Sequence, residues 1–431
     1  MNLGNRVCAF YARGTSKVSE MDANWQQRLD QAIEERSESL IALRRHLHAY
    51  PEISGNEYQT TALLLERLEA IGCDCRSPAQ KRGVIADIGE EKMARIGLRA
   101  DIDALQIQDA KDVSYRSTHD GVMHACGHDA HCAILYGALY GLQQVVQSDG
   151  FPWPVSVRGI FQPAEETAQG AKEMVSFGAL EGVDAILGVH VDPKRAVGSI
   201  GLRDGVSTAN CDEIRVQLRG VGGHAARPHE AVDPLSAAAQ LVQAIYLHVP
   251  RTTDSQDSVV VTFGRIAGGT NSNVIPEAVE LRGTLRTLCR EIRIQTQKKL
   301  ADICHGVSET TGVAIDLDIK TEIDSVVNDP AVNRVIRRSA IEVIGANKIE
   351  AIPRSSMGSE DFSVYLKEIP GAMFRLGTAT EERQIPLHSS NFDIAEEIIV
   401  VAAKILARSA VFWSDPNKIG DCSAVAEEII Q

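Results

Sequence analysis

The sequence predicts an α/β protein, with a mixed sheet flanked by helices, that is interrupted by an inserted ferredoxin-like α+β module. At 431 residues the chain is too long for one ordinary core, and its length favours about two to three domains. Runs of small and branched apolar residues alternate with helical patterns before residue 210 and again after residue 324. Between these regions the predicted order is strand, helix, strand, strand, helix, strand, which is the ferredoxin-like arrangement.

The first α/β region opens with apolar residues at helical spacing. They predict one helix over 22–48, which Pro51 ends, and a second helix over 58–70 with Gly72 as its C-terminal breaker. Strands are predicted over 83–88, 94–100, 155–161 and 185–191, with a helix over 130–147. Because α/β folds carry their chemistry at strand ends, the polar residues that follow these strands are the candidates for function.

The inserted module and the regions around it give the domain boundaries. Its strands are predicted over 213–219, 258–266, 278–288 and 314–321, and its helices over 233–249 and 291–310. Beyond it we predict a helix over 330–344, a strand over 372–376 and a closing helix over 395–412. We therefore divide the chain into an N-terminal extension (1–35), a discontinuous α/β domain (36–210 and 323–413), the inserted domain (211–322) and a tail (414–431).

Composition narrows the possible partners and location. The formal charge of −14 and the absence of a basic block exclude a nucleic-acid partner, and no apolar run is long enough to span a bilayer. Nine cysteines, an odd number spread through a long chain, do not form a disulfide framework and favour a reducing, cytoplasmic location. The first twenty residues lack the apolar region of a secretory signal.

The stretch 123–131 holds three histidines, a cysteine and an aspartate. Cys126 and His128 have a spacing that can aim two ligands at one ion, and Gly127 between them permits close backbone approach. The predicted helix follows directly, and a helix N-terminus favours thiolate over thiol. Taken alone, such a pair is more often a buried apolar cysteine and a hydrogen-bonded histidine than a metal site.

Other candidates follow the predicted strands. Asp101 and Asp103 come after the strand over 94–100, and Glu165 and Glu166 come after the strand over 155–161. Adjacent carboxylates repel each other, and a nearby cation would stabilise the glutamate pair. The histidines at 190, in an apolar strand, and 388, in a loop, have weak individual cases, since such residues are more often core or exposed than ligands.

Eight motifs in a fixed order carry a resemblance to a known family. They are RRHLHAYPE (44–52), CGHD (126–129), PAEE (163–166), GVH (188–190), GGHAARPH (222–229), NVIP (273–276), GSEDF (358–362) and LHS (387–389). Together they resemble the M20 metallopeptidase family, in its amidohydrolase branch of hippurate hydrolases, N-acyl-amino-acid deacylases and plant auxin-conjugate hydrolases. The resemblance spans 40–412 and implies a catalytic α/β domain interrupted by a lid that also dimerises. It departs from the family at Gln106, where proline is common.

The resemblance also assigns roles to individual residues. It implies two divalent metal ions per chain, Mn or Zn before Co or Ni, held by Cys126 as a bridging thiolate and by His128, Glu166, His190 and His388. It makes Glu165 the general base and Asp103 an orienting residue. It makes His224 the donor that stabilises the oxyanion, and it makes Asn273 and Arg286 the residues that bind the substrate carboxylate.

The implied activity is hydrolysis of a small-molecule N-acyl amino acid, of N-acetyl, N-benzoyl or indole-acetyl type, to a carboxylic acid and a free amino acid. The enzyme is expected to be a homodimer through the lid. Alternatives within the family are a dipeptidase or an N-acyl-diaminopimelate deacylase. Outside it, Cys126 could be the nucleophile of a cysteine amidase, or the fold could serve a binding protein without catalysis.

Overall fold

The structure, a computed structural model, describes residues 25–90, 94–380 and 384–416. Most of the predicted N-terminal extension and most of the tail therefore lie outside the described residues. Within the described part, the chain forms two compact units: unit 1 contains 25–204, 328–352 and 365–416, and unit 2 contains 205–327 and 353–364. No helix among the described residues is long and apolar enough to cross a membrane.

The described residues contain strands and helices of ordinary length. The strands are β1 Asp74–Arg76, β2 Val84–Ile88, β3 Arg95–Asp101, β4 Ser156–Gln162, β5 Val183–Ala196, β6 Ile200–Leu202, β7 Gly205–Val206, β8 Asn210–Arg219, β9 Gly223–His224, β10 Val259–Ala267, β11 Val274–Ile275, β12 Ala278–Thr287, β13 Ala314–Ile323, β14 Val327–Asn328, β15 Ile349–Ala351 and β16 Gly371–Ala379. The helices are α1 Trp25–Glu34, α2 Ser37–Ala49, α3 Tyr58–Ala70, α4 His128–Gln147, α5 Gly170–Ser176, α6 Pro234–Thr252, α7 Arg290–Thr311, α8 Pro330–Ile344, α9 Ser363–Leu366 and α10 Ile398–Trp413.

Unit 1 is built on an eight-stranded mixed sheet of order β1-β2-β4-β3-β5-β16-β6-β15. The four central strands β4, β3, β5 and β16 run parallel to one another, so their carboxyl ends meet at one edge of the sheet. Strands β3 and β4 are buried along their whole length, as expected of parallel strands covered on both faces. This sheet, flanked by helices, confirms the predicted α/β fold.

The helices of unit 1 pack around α4, which is buried over most of its length. Helices α1, α2 and α10 all contact α4, and α8 contacts α10. The sequence predicts one helix over 22–48, but the structure divides the described part of it into α1 and α2, with a break at residues 35–36. The break lets both segments pack their apolar residues against α4, and α1 contributes Trp25, Leu29 and Ile33 to the core of unit 1.

Unit 2 contains a four-stranded antiparallel sheet of order β10-β12-β8-β13 with helices α6 and α7 packed on it. Alternate residues of β8, among them Ile214, Val216 and Leu218, are buried against these helices, while Arg215 on the other face is exposed. Asp233 begins α6 by accepting a hydrogen bond from the Leu235 amide. The four strands of this sheet and the two helices come in the predicted order, with the short strands β9 and β11 as unpredicted additions, and unit 2 also takes in 353–364.

Candidate metal centre

Cys126 and His128 are held on either side of a tight turn at the start of α4. Gly127 has a φ of +86°, in the left-handed region, and a Cβ there would lie 2.5 Å from Val191 Cγ2. Only glycine fits this position without strain. His128 is the first residue of α4 rather than part of the preceding loop, so the turn, not an extended segment, aims both side chains the same way.

Asp103, two residues beyond β3, holds two of the candidate ligands. Its backbone carbonyl accepts a hydrogen bond from His128 Nδ1 (2.9 Å), which leaves Nε2 available to a metal ion. Its carboxylate Oδ2 accepts the backbone N–H of Glu166 (3.0 Å) and the Ser54 hydroxyl (2.6 Å). Such hydrogen bonds would suit the orienting role predicted for Asp103.

Glu165 and Glu166 follow β4 on a strained turn. Ala164 has a φ of +51°, which is unfavourable for a residue with a side chain. The buried Glu57 carboxylate holds this turn by accepting the Ala164 amide N–H (2.8 Å). Backbone strain of this kind is maintained by the surrounding structure and is common at functional sites.

His190 and His388 come from β5 and from the loop after β16. His190 is 6% exposed, and its Nδ1 donates to the Val191 carbonyl (2.7 Å), which leaves Nε2 only 3.5 Å from Cys126 Sγ. The His388 amide donates to the Ala125 carbonyl (2.8 Å), and its φ of +59° is again left-handed. A hydrogen bond to the backbone thus directs His190 Nε2 at Cys126, and another holds the backbone of His388 at Ala125, the residue before Cys126.

The ligand atoms of the five predicted residues converge in two overlapping groups. Cys126 lies with His128 and His190 in one group and with Glu166 and His388 in the other, with the atoms of each group within 4.8 Å of one another. Cys126 belongs to both groups, so its sulfur could serve as a metal ligand in either.

The distances between ligand atoms fit coordination. Within these groups, Cys126 Sγ lies 3.5 Å from His190 Nε2, and Glu166 Oε1 lies 3.6 Å from His388 Nε2. Ligands at about 2.0 to 2.3 Å from a tetrahedral ion lie roughly 3.3 to 3.8 Å from one another. Among the described residues, neither His128 Nε2 nor Glu166 Oε1 has a hydrogen-bond partner, although both atoms are buried. A divalent cation would satisfy both atoms.

The electrostatics of these side chains differ strongly. Burial lowers the pKa of His190 well below its ordinary value, with Arg375 adding to the shift, so this imidazole is neutral and able to coordinate. Burial also acts to lower the pKa of His128, but Asp101 and Asp103 raise it well above its ordinary value. The carboxylates around His128 thus stabilise positive charge.

Cys126 corrects one expectation. Burial raises the pKa of its thiol far above the ordinary value, and the hydrogen bond and charge of His128 oppose this only in part. Without a bound cation, burial thus outweighs the helix N-terminus, and the prediction that this position favours the thiolate is wrong for the protein alone. A cation bound at the site would deprotonate the thiol, whereas a free cysteine nucleophile would need the opposite shift.

The three remaining predicted site residues lie in unit 2. His224 on β9 pairs with Val274 on β11, the residue after Asn273, and the Ala225 amide donates to the Asn273 carbonyl (3.1 Å). His224 Nδ1 accepts the Ala226 amide (3.1 Å), which leaves Nε2 as a donor. The structure thus brings His224 and Asn273 together.

Arg286 lies on β12. Its guanidinium donates to the Met357 carbonyl (3.2 Å) and the Ser359 hydroxyl (3.3 Å), both in the 353–364 segment of unit 2.

Two buried residues next to these ligands, Glu57 and His131, are absent from the predicted site. Glu57, which holds the turn before Glu165, gives no motif signal that would separate it from a surface acid. His131 hydrogen-bonds to Asp101 (2.6 Å), and its spacing from His128 could have indicated it, because residues three apart share one helix face.

Known proteins resemble the chain over nearly its whole length. N-acetyl-L-cysteine deacetylase of Bacillus subtilis is 38% identical over 381 residues, which cover 88% of this chain and 89% of the relative. IAA-amino acid hydrolase ILR1-like 4 of Arabidopsis thaliana is 33% identical over 379 residues, covering 86% of this chain and 84% of the relative.

A solved structure agrees with them. The crystal structure of the Bacillus subtilis YXEP protein, described as a dinuclear metal-binding peptidase of the M20 family, matches with a TM-score of 0.76 at 33% identity and covers 89% of this chain and 99% of that one. The model of peptidase family M20/M25/M40 matches residues 97–411. Since this range includes all five candidate ligands and most of the chain, the resemblance found in the sequence is confirmed, and the protein belongs to peptidase family M20/M25/M40.

Proposed function

We propose that this hydrolase uses two divalent metal ions to cleave the amide bond of N-acyl amino acids, giving a carboxylic acid and a free amino acid. The observation that carries the proposal is the place of Cys126 in both groups of ligand atoms. Thiolate, imidazole and carboxylate ligands together suit Zn, Mn, Co or Ni, of which we expect Mn or Zn.

The residues of unit 1 divide the reaction between them. The two ions would be held by Cys126, His128, Glu166, His190 and His388. When bound, they would supply the Lewis acidity that polarises an amide carbonyl and lowers the pKa of water. Glu165 removes the proton of the attacking water and delivers it to the nitrogen of the leaving amine, so the base becomes the acid within one turnover. A carboxylate oxygen of Glu165 lies within 4.8 Å of the ligand atoms of His128 and Glu166.

Residues of unit 2 recognise the substrate in this proposal. His224, with Nε2 free to donate, stabilises the oxyanion that forms when water attacks the carbonyl. Asn273 and Arg286 bind the carboxylate of the amino acid, a task suited to the planar donors of arginine. The substrate class follows from two relatives, one named as a deacetylase of N-acetylcysteine and the other as a hydrolase of IAA-amino acids. Both names describe removal of an acyl group from an amino acid.

Replacing Glu165 by Gln tests the base. The amide keeps the shape of the side chain but cannot take a proton, so we expect turnover to fall by about 10²- to 10⁴-fold. Metal content by mass spectrometry should stay at two ions per chain. The matched control is Glu173→Gln, because Glu173 is an exposed glutamate whose partner is Arg82. Unchanged hydrolysis in Glu165→Gln would exclude this mechanism.

Chelation separates the proposal from a cysteine amidase. Removing metal should abolish hydrolysis, and adding Mn²⁺ or Zn²⁺ should restore it. An enzyme with Cys126 as nucleophile would keep its activity after chelation and lose it on alkylation. The substrate panel should contain N-acetyl, N-benzoyl and indole-acetyl amino acids, with a dipeptide and N-acyl-diaminopimelate as the alternatives within the family.

We further propose that two copies of the chain associate through unit 2. Strand β10 is at the edge of its sheet, and its Val260 and Ile266 are exposed, as are Tyr246 and Leu247 on the neighbouring α6. An exposed apolar edge strand is a template for pairing with another strand, and an identical copy closes such an interface symmetrically.

The seven described cysteines are free, which suits the reducing cytoplasm that we propose as the location.

The oligomeric state tests this interface. The double variant Val260→Lys and Ile266→Lys should be monomeric by light scattering after gel filtration. Ile294→Lys, at an equally exposed position on α7, should behave as the unaltered chain does. A monomeric unaltered chain would contradict the proposal, as would a dimeric double variant.

A further inference from the structure

The residue after His190 is hydrogen-bonded through both of its backbone polar groups. The Val191 carbonyl accepts a hydrogen bond from His190 Nδ1 (2.7 Å). The Val191 amide donates to His131 Nε2 (3.0 Å). The carbonyl of Val191, in the 191–192 peptide group, holds the ring of His190, and the amide of Val191, in the 190–191 peptide group, is held by the ring of His131. Both rings therefore act on the backbone of one residue, and they lie 4.9 Å apart between centroids.

These hydrogen bonds define how His131 is protonated. Nε2 must be unprotonated to accept the Val191 amide, so the proton is on Nδ1 and is donated to Asp101 Oδ1 (2.6 Å). The ring is fully buried, which leaves it these two polar partners on opposite sides. A phenylalanine could fill this space but could make neither hydrogen bond.

Asp101 is held in turn from behind. Its other oxygen, Oδ2, accepts a hydrogen bond from Arg99 Nη1 (2.6 Å), and Arg99 Nε donates to Gln162 Oε1 (2.8 Å). Tyr365 donates to the same oxygen of Gln162 (3.1 Å). All of these residues are fully buried, and Arg99, Asp101 and Gln162 belong to the adjacent strands β3 and β4. The chain of contacts thus ties the backbone beside His190 to the middle of the sheet.

We propose that His131 is a positioning residue for the metal centre: by holding the backbone of Val191 it fixes the ring orientation and tautomer of His190. The inference rests on the proposed function, because it takes His190 as a metal ligand. Histidine ligands generally donate their second ring nitrogen to a fixed acceptor, and loss of such support typically costs about 10- to 100-fold in metal affinity. Here the acceptor is the carbonyl of Val191, and the amide of the same residue is held by His131.

Three substitutions separate the two hydrogen bonds of His131. His131→Phe removes both. His131→Asn retains a donor near the position of Nδ1, for Asp101, and loses the acceptor for Val191. His131→Gln retains an acceptor near the position of Nε2, for Val191. If the hydrogen bond to the Val191 backbone is what matters, Gln should preserve metal binding better than Asn or Phe.

The experiment is a titration of the metal-free full-length chain with Co²⁺ against a competing chelator. Absorption from the Cys126 thiolate to Co²⁺ reports occupancy, and the d–d bands report the ligand geometry. We expect an affinity loss of about 10- to 100-fold and altered d–d bands for His131→Phe and His131→Asn, with His131→Gln close to the unaltered chain. The control is Leu139→Ala, a buried position on the same helix, which should weaken folding and leave Co²⁺ binding intact.

The possible outcomes are distinct. Unchanged affinity and d–d bands in a folded His131→Phe overturn the inference, as does an equal loss in Leu139→Ala. If His131→Phe does not fold, the Asn and Gln variants decide, and equal affinity in those two overturns it. A wild-type chain without the thiolate band would refute the metal centre itself and the inference with it, whereas altered variants beside a normal wild type bear on His131 alone.

Discussion

Arg44 on α2 is fully buried, and its substitution by methionine should strongly destabilise unit 1. Its guanidinium contacts Asp129 (2.8 Å), Asp393 (2.7 Å) and Glu396 (3.2 Å). Methionine fills similar space but leaves the buried carboxylates of Asp129 and Asp393 without their main counter-charge. Removing one partner of a buried ion pair typically costs about 3 to 5 kcal/mol, and we expect a loss in that range at neutral pH.

The pH dependence of this loss tests its cause. Burial acts to raise the pKa of Asp129, but the charge of Arg44, helped by His48, holds it below the ordinary 3.8. In the unaltered chain the stabilisation from Asp129 is therefore present above the unfolded pKa and is lost as pH falls through the folded pKa. Without Arg44 the pKa of Asp129 rises, so the carboxylate can be neutralised under milder acid. The cost of Arg44→Met should therefore be smaller at about pH 5 than at neutral pH.

The neighbouring arginine provides the control. Arg45 also pairs with Glu396 (2.6 Å), but its side chain is 46% exposed, so Arg45→Met should cost less than about 1 kcal/mol. Urea unfolding followed by tryptophan fluorescence is a suitable assay, because all three tryptophans lie in unit 1. Equal costs for the two substitutions, or a cost for Arg44→Met that is the same at both pH values, would refute this reasoning.

Two further substitutions test the backbone at the site and the core of unit 2. Gly127→Ala should cost about 1 to 3 kcal/mol and weaken metal binding, because it adds strain at positive φ and a clash with Val191. Gly121→Ala has a similar φ and nothing within 4 Å, so thermal unfolding and Co²⁺ titration of both variants separate strain from clash. Asp212→Ala removes the buried acceptor of Arg293 Nε (3.0 Å) and should cost about 3 kcal/mol, measured by circular dichroism during urea unfolding. A loss below about 1 kcal/mol would show that Asp324 alone satisfies Arg293.

Much of the fold can be predicted from local sequence because its signals are local. Apolar runs mark β3 and β4, and helical spacing marks α3 and α8. The break between α1 and α2 has no comparable signal, since Leu29, Ile33 and Leu40 keep their spacing across it and are all buried. What decides the break is how both helices pack on α4, which is a contact between distant segments.

The chemistry of individual groups is harder to predict because it depends on burial. The sequence places Cys126 next to a helix N-terminus and predicts a thiolate, but the surrounding structure raises the pKa of this thiol instead. His131 is similar, since it is absent from the site predicted from the sequence. Its connection to His190 exists only because Val191 on β5 lies beside α4.

The site as a whole depends on the order of the strands in the sheet, which local sequence patterns do not reveal. Glu165, Asp103, His190 and His388 belong to β4, β3, β5 and β16 or to the segments that follow them, and these strands are neighbours in the sheet in that order. The order is not that of the chain, and β16 comes after the whole of unit 2 in sequence. Because side chains alternate along a strand, a slip of one residue between β5 and β16 would turn His190 to the other face of the sheet. The sequence can therefore show which residues could bind metal, whereas their convergence on Cys126 is a property of strand order and register.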